Sequence, residues 1–208
     1  MAENDSAQSP VTGASLIGAS PKSILAFAAR TIAWCIPMFA LWLVAAQPIS
    51  MAAAWGAEKL LDRMAPVRQT RIEWRDGRVA FLAQPDTTTE YLNHLRPGLT
   101  FEVPIDVRRQ TYGVPFFLAL LLAAKSRRLA AKAAAGVAIL LVLAAVGVAC
   151  EAAIGLATLA PQGGGRVFSF GAASATLIAL GFQLGSLIFP SVGPVVLWAG
   201  MDALRHRG

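Results

Sequence analysis

The sequence of 208 residues has few acidic side chains, and those it has are unevenly placed. Eight of its twelve Asp and Glu residues lie between Glu58 and Asp106. A charge at the centre of a bilayer costs about 2.5–3.5 kcal/mol on insertion scales, so long stretches without acidic residues are compatible with lipid. Because 56% of the residues are also hydrophobic, the composition excludes an ordinary soluble domain. It predicts an integral membrane protein with one water-facing insert.

Cysteine and histidine are also scarce, which argues against a metal centre or a disulfide framework. Cys35 and Cys150 lie far apart in apolar segments, and the two histidines, His94 and His206, have no metal-ligand spacing. We predict no cofactor and interpret both cysteines as small buried side chains. A membrane thiol hydrolase that uses Cys150 with Glu151 and His94 is the enzymatic alternative, but no recognisable spacing supports it. We therefore predict that the protein is not an enzyme.

The net charge of +6 does not form a nucleic-acid-binding patch, because the basic residues outside the insert cluster at 125–132, between apolar runs, and at the C-terminus. Within the insert, nine Lys and Arg residues are balanced by eight Asp and Glu residues. This placement is typical of the positive-inside rule for membrane proteins and predicts the lipid bilayer, not nucleic acid, as a partner. The predicted interfacial anchors are Arg108, Arg109, Lys125, Arg127 and Arg128.

Four apolar segments predict an α-helical membrane protein with four transmembrane helices. They cover residues 24–46, 112–126, 133–160 and 168–199, the last with a break at Pro190 to Pro194. The apolar core of the second segment would make only about 20 Å of helix, against a hydrocarbon thickness of about 30 Å. It therefore needs snorkelling basic side chains or local thinning of the bilayer to cross.

The first segment has two interpretations. Val44-Ala45-Ala46 matches a signal-peptidase site, but the long N-terminal region and Pro37 inside the apolar core favour a retained anchor.

Residues 47–111 predict an extracytoplasmic α+β insert. A mixed pattern at 51–64 indicates a helix at the membrane surface. Alternating residues on both sides of Asp76-Gly77 predict a β-hairpin with a two-residue turn that pairs Trp74 with Val79 and Ile72 with Phe81. A third strand near 99–107 contains Pro104, which is tolerated at a sheet edge or interrupts the strand. We expect this small meander to rest on the surface helix or on the bilayer.

The charge pattern also predicts an orientation. With the basic loop 125–132 in the cytoplasm, both termini are cytoplasmic and the insert is periplasmic. Residues 1–22 then form a disordered cytoplasmic tail, and 200–208 form a basic cytoplasmic tail.

Two polar residues within the predicted spans are candidate functional residues. Glu151 lies between Gly147 and Gly155 on one helix face, and Gln183 lies within the close-packing pattern Gly181-x-x-x-Gly185. Glu151 either stabilises helix pairing near the outer interface or acts directly in function. Gln183 either packs within the chain or docks to a second membrane protein.

Three segments resemble one family of membrane proteins. They are YGVPFFLALLLAA at 112–124, ALGFQLGSLIFPSVGPVVLW at 179–198 and the proline-containing helix AWCIPMFALWLVA at 33–45. With the strand-rich insert, they resemble the exosortase H-associated membrane proteins of Gram-negative bacteria. The resemblance implies a location in the bacterial inner membrane and an accessory role beside an exosortase, the enzyme that processes C-terminal sorting signals of exported proteins.

Two functions remain open at this stage. The first is a non-catalytic accessory of protein sorting that positions the exosortase or its substrate. The second is a component that handles a lipid or a small molecule through Glu151 and Arg108 or Arg109.

Overall fold

The computed structural model describes most of the chain, with gaps at both ends and in several connections. The described residues are 21–64, 67–75, 78–85, 100–126, 128–159 and 170–203. Several predicted features therefore lie outside the described residues: most of the tail 1–22, the end of the tail 200–208, the Asp76-Gly77 turn, Arg127 and both histidines.

The first helix, α1, is longer than the sequence suggests. It runs as one helix of 44 residues over Pro21–Met64, whereas the sequence predicts a span at 24–46 and a separate surface helix at 51–64. Pro37 and Pro48 lie inside this helix and are exposed, so their rings do not displace neighbouring elements. Membrane helices tolerate proline where neighbours compensate for the missing hydrogen bond, and the second proline therefore does not end α1.

The residues that follow form a three-stranded antiparallel meander in the order β1-β2-β3. Its strands are β1 (Val67–Arg75), β2 (Arg78–Pro85) and β3 (Phe101–Ile105). Trp74 pairs with Val79 and Ile72 with Phe81, which confirms the predicted register. Pro104 lies on the edge strand β3, where its missing N–H has no partner to lose.

Two short helices connect the sheet to the rest of the helical bundle. They are α2 (Arg108–Thr111) and α3 (Gly113–Ala123), and Tyr112 between them keeps right-handed helical angles. Most of α3 is buried, and its neighbours are α1, α4 (Leu129–Thr158) and α7 (Gly193–Ala203).

The C-terminal segment is an irregular helical run antiparallel to α4. It consists of α5 (Ala172–Gln183), a π-helical turn (Leu184–Ile188), α6 (Phe189–Ser191) and α7. Val192 separates α6 from α7, between Pro190 and Pro194. Each proline removes one backbone donor, so the helix changes its hydrogen-bond register here.

Among the described residues, three helices are long and apolar enough to cross a membrane: Pro21–Arg63, Leu129–Thr158 and Ala172–Ser191. The segment predicted as a fourth span, 112–126, is not one of them, because α3 has only 11 residues. The structure therefore supports a mostly helical membrane protein with a small antiparallel sheet.

The core has two parts. One face of the sheet, with Phe81 fully buried, packs on the second half of α1 and the second half of α4. The other part surrounds α3, where Phe27 of α1 stacks on Trp198 of α7 with ring centroids 5.3 Å apart. The sheet is thus supported by the helix around Ala53–Leu61, as the sequence predicts.

Candidate functional site

The most unusual polar feature of the structure begins at α2, directly after the edge strand of the sheet. The backbone N–H of Arg108 donates a hydrogen bond of 3.3 Å to Oδ1 of Asp106, two positions earlier, where this short helix begins. The helix turns Arg108 and Arg109 outwards and buries Gln110 and Thr111. The hydroxyl of Thr111 donates back to the carbonyl of Val107, so only Gln110 needs a partner from another element.

Gln110 finds that partner on α4. Its Nε2 donates a hydrogen bond of 2.6 Å to Oε2 of Glu151, across 41 positions of sequence. Gln110 is 4% exposed, whereas Glu151 is only partly buried. The charged neighbours of this carboxylate are Arg109 and Asp106. The Oε1 atom of Gln110 is buried and accepts no hydrogen bond from the part of the chain that the structure describes.

Two glycines make room for this pair. Gly147 on α4 faces Gly185 in the π-helical turn so closely that a Cβ atom on Gly147 would lie 2.9 Å from Cα of Gly185. The same added atom would lie 3.5 Å from Cγ of Gln110. Backbone contact of this kind is available only to glycine, so α2, α4 and the π-helical turn meet at one point.

The other predicted glycines also lie at contacts within the chain. A Cβ atom on Gly181 would lie 2.5 Å from Sγ of Cys150, and one on Gly155 would collide with Val103 of β3. The structure thus joins Gly147, Glu151 and Gly185 in one cluster, while Gly155 faces the sheet.

Gln183 is not part of that cluster. It lies at the end of α5 and is exposed, although the glycines two positions before and after it face α4.

The predicted interfacial anchors separate into two groups. Arg108 and Arg109 are exposed on α2, and Lys125 and Arg128 are exposed in the turn between α3 and α4. Both residues of the second group have positive φ values, 49° for Lys125 and 56° for Arg128.

Gln110 is the residue that sequence reasoning missed. It stands between two arginines interpreted as anchors and an apolar run, and no helical or strand period links it to Glu151. Only the three-dimensional path from β3 into α2 brings the two side chains together.

The arrangement offers hydrogen-bond acceptors on Gln110 and Glu151. Cys150 is 4% exposed and packed against Gly181. Within the described residues no group of three or more His, Cys, Asp or Glu side chains could hold a metal ion. The cluster can bind a hydrogen-bond donor.

Comparison with known proteins adds one finding. No curated protein and no solved structure matches the chain. The family model described as exosortase H-associated membrane protein matches residues 21–204, which confirms the resemblance found in the sequence. The chain therefore belongs to the exosortase H-associated membrane protein family.

Proposed function

We propose that this protein is a non-catalytic accessory of an exosortase-type sorting system in the bacterial inner membrane. In this role it holds the exosortase or its substrate in position through contacts within the bilayer. Membership of the family supports the association with an exosortase.

The observation that carries the proposal is the exposed amide of Gln183 on an apolar helix. Leu180, Leu184 and Leu187 around it are 50%, 38% and 66% exposed. The hydrocarbon core of a bilayer provides no hydrogen bonds, so a carboxamide at such a position gains free energy when a polar group of another membrane protein reaches it.

Packing among the described residues leaves this face open. Ile178 and Gly185 are the buried residues of α5 and the π-helical turn. The narrow face that carries them contacts α4, and the opposite, broader face of the helix is left for a partner.

Site-specific photo-crosslinking tests the proposal directly. A photoreactive amino acid at Gln183, in cells that also produce an exosortase of the same organism, should give a crosslinked product that contains the exosortase. The same probe at Val142, an exposed apolar position on α4, is the matched control and should label mainly lipid. Equal labelling from both positions, or none from Gln183, would contradict a docking role for α5.

A substitution provides an independent measurement. Gln183→Leu should weaken co-purification with the exosortase in mild detergent by about fivefold, because one interhelical hydrogen bond is worth about 1 kcal/mol in membranes. Thr176→Val is the control: Thr176 is also exposed on α5, but its hydroxyl already donates to the carbonyl of Ala172 at 3.0 Å. That variant should leave co-purification unchanged.

A further inference from the structure

The buried acceptor on Gln110 has no donor among the described residues, although buried polar atoms in proteins are nearly always paired. The amide has already used Nε2 on Glu151, so Oε1 of the same group points to a donor that none of the described residues supplies. A ligand with N–H groups would satisfy it.

The carboxylate next to this acceptor decides what kind of donor fits. Only one oxygen of Glu151 receives the hydrogen bond from Gln110, and the side chain is partly exposed. The free lone pairs of the carboxylate and the Gln110 carbonyl oxygen together favour a cation with several N–H groups. A primary ammonium group has this chemistry, because it carries three donors and no acceptor.

The location favours a lipid as the source of this ammonium group. Glu151 lies 22 residues beyond the start of α4 at Leu129, or about 33 Å along the helix, close to one hydrocarbon thickness of about 30 Å. The cluster therefore lies at the level of the headgroups if the start of α4 lies at the opposite face.

A positive charge near Glu151 adds a place for an anion. Arg109 is exposed on α2 and is a charged neighbour of Glu151, so an anion can be bound beside the ammonium group. Asp106 is the other charged neighbour, and its Oδ1 already accepts the backbone N–H of Arg108. A zwitterion with an ammonium and a phosphate group would satisfy both sides of the cluster.

We propose that Gln110, Glu151 and Arg109 form a binding site for the headgroup of phosphatidylethanolamine. The ammonium group donates hydrogen bonds to Oε1 of Gln110 and to the carboxylate of Glu151, and the guanidinium of Arg109 binds the phosphate. The site is independent of Gln183, so it stands or falls apart from the docking of an exosortase.

Lipid binding to the purified full-length protein tests the site, with native mass spectrometry as the measurement. Phosphatidylethanolamine, phosphatidylcholine and phosphatidylglycerol with identical acyl chains are the probes. Phosphatidylcholine keeps the charges but has no N–H donors, and phosphatidylglycerol has no ammonium group. Phosphatidylethanolamine should bind about tenfold more tightly than either, since charge-assisted hydrogen bonds distinguish it from both. Equal binding of all three lipids would overturn the proposal.

Two variants test which residue causes the preference for phosphatidylethanolamine. Glu151→Gln removes the negative charge but keeps an oxygen that can accept the Gln110 amide, so the local packing is preserved. It should abolish the preference for phosphatidylethanolamine over phosphatidylcholine. Glu102→Gln, an exposed carboxylate on β3, is the control and should retain it. A preference that survives Glu151→Gln would overturn the assignment, and Gln110 would then hold only an ordered water molecule.

Arg109→Gln provides a third measurement. It should weaken the binding of phosphatidylethanolamine and of phosphatidylcholine to the same extent, because both lipids carry the phosphate. If Glu151→Gln does not yield folded protein, the comparison of the three lipids on the unaltered chain still decides the outcome.

Discussion

Gly147 and Gly185 determine how closely the C-terminal helical run approaches α4. A Cβ atom on either residue would meet the backbone of the other, and backbone atoms in two packed helices cannot move aside as a flexible side chain can. The close approach places the π-helical turn against Gln110 and Glu151. We infer that the site depends on these two glycines as much as on its polar residues.

Gly147→Ala should lower the free energy of unfolding in mild detergent by about 1–3 kcal/mol, the usual cost of overpacking a tight contact. Gly185→Ala should have a similar effect. Thermal unfolding followed by circular dichroism measures both.

Gly200→Ala is the control for this prediction. Gly200 lies within α7, and a Cβ atom there would meet no atom within 4 Å. This substitution should leave stability unchanged or raise it by up to about 1 kcal/mol, since Ala is the better helix former. Equal stability of the Gly147 and Gly200 variants would contradict the close contact.

The sequence predicts part of this cluster and not the rest, for a physical reason. Glu151 and the glycines stand out because a carboxylate and small residues are informative within an apolar helix. Gln110 does not stand out, because a neutral polar residue beside two arginines resembles an ordinary interfacial residue. Its role depends on a contact with a residue 41 positions away, and local pattern carries no information on such contacts.

Among the elements, the sheet is predicted well and α1 is not. The register of a two-residue hairpin follows from alternation and turn chemistry, both of which are local, so the pairing of Trp74 with Val79 could be predicted. The continuity of α1 through Pro48 could not, since proline ends most helices in water. Tertiary packing keeps α1 continuous, because Ala46, Ser50 and Ala53 are buried before and after the proline.

The end of α3 shows how a lysine can occupy a position that favours glycine. The N–H of Lys125 donates to the carbonyl of Leu122 at 3.1 Å, and the N–H of Ser126 donates to the carbonyl of Leu121 at 3.3 Å. This pair of hydrogen bonds is the Schellman motif, in which the residue with positive φ is usually glycine. Lys125, with φ of 49°, bears the steric cost of a Cβ atom in the left-handed region.

Lys125→Gly should therefore raise the free energy of unfolding by about 1 kcal/mol, because it removes the left-handed cost but adds freedom to the unfolded chain. Lys125→Ala removes the same charge but keeps the Cβ atom, and it should not stabilise the protein. Thermal unfolding of both variants separates the effect of the lost charge from the effect of the lost Cβ atom. A higher melting temperature for the alanine variant than for the glycine variant would exclude backbone strain as the cause.

For the whole molecule, the open question of architecture is whether the chain crosses the membrane three or four times. The length of α3 alone argues for three crossings, but α2 continues into α3 through Tyr112 with helical angles. Together they form helix over Arg108–Ala123, or about 24 Å, against about 30 Å of hydrocarbon. Exposed basic residues stand at both ends, and their long side chains can reach the headgroups across the remaining distance.

Burial within the bundle would allow a helix as short as α3 to cross the bilayer. Most of α3 is enclosed by α1, α4 and α7, so few of its backbone and side-chain atoms need to match the thickness of the lipid. A crossing by α3 would place Lys125 and Arg128 on the cytoplasmic side, as the positive-inside rule favours. We therefore expect four crossings, with the sheet outside the cytoplasm.

Cysteine labelling in spheroplasts tests this topology. In a protein with Cys35 and Cys150 replaced by alanine, we expect Arg78→Cys on the exposed face of the sheet to react with a membrane-impermeant maleimide. Ala131→Cys, exposed near the start of α4, should react only after the membrane is disrupted. Because α2 and α3 are the helices between these two positions, labelling of both in intact spheroplasts would mean that α3 turns back within the membrane. The sheet and the basic turn would then share one side, and the four-crossing architecture would be wrong.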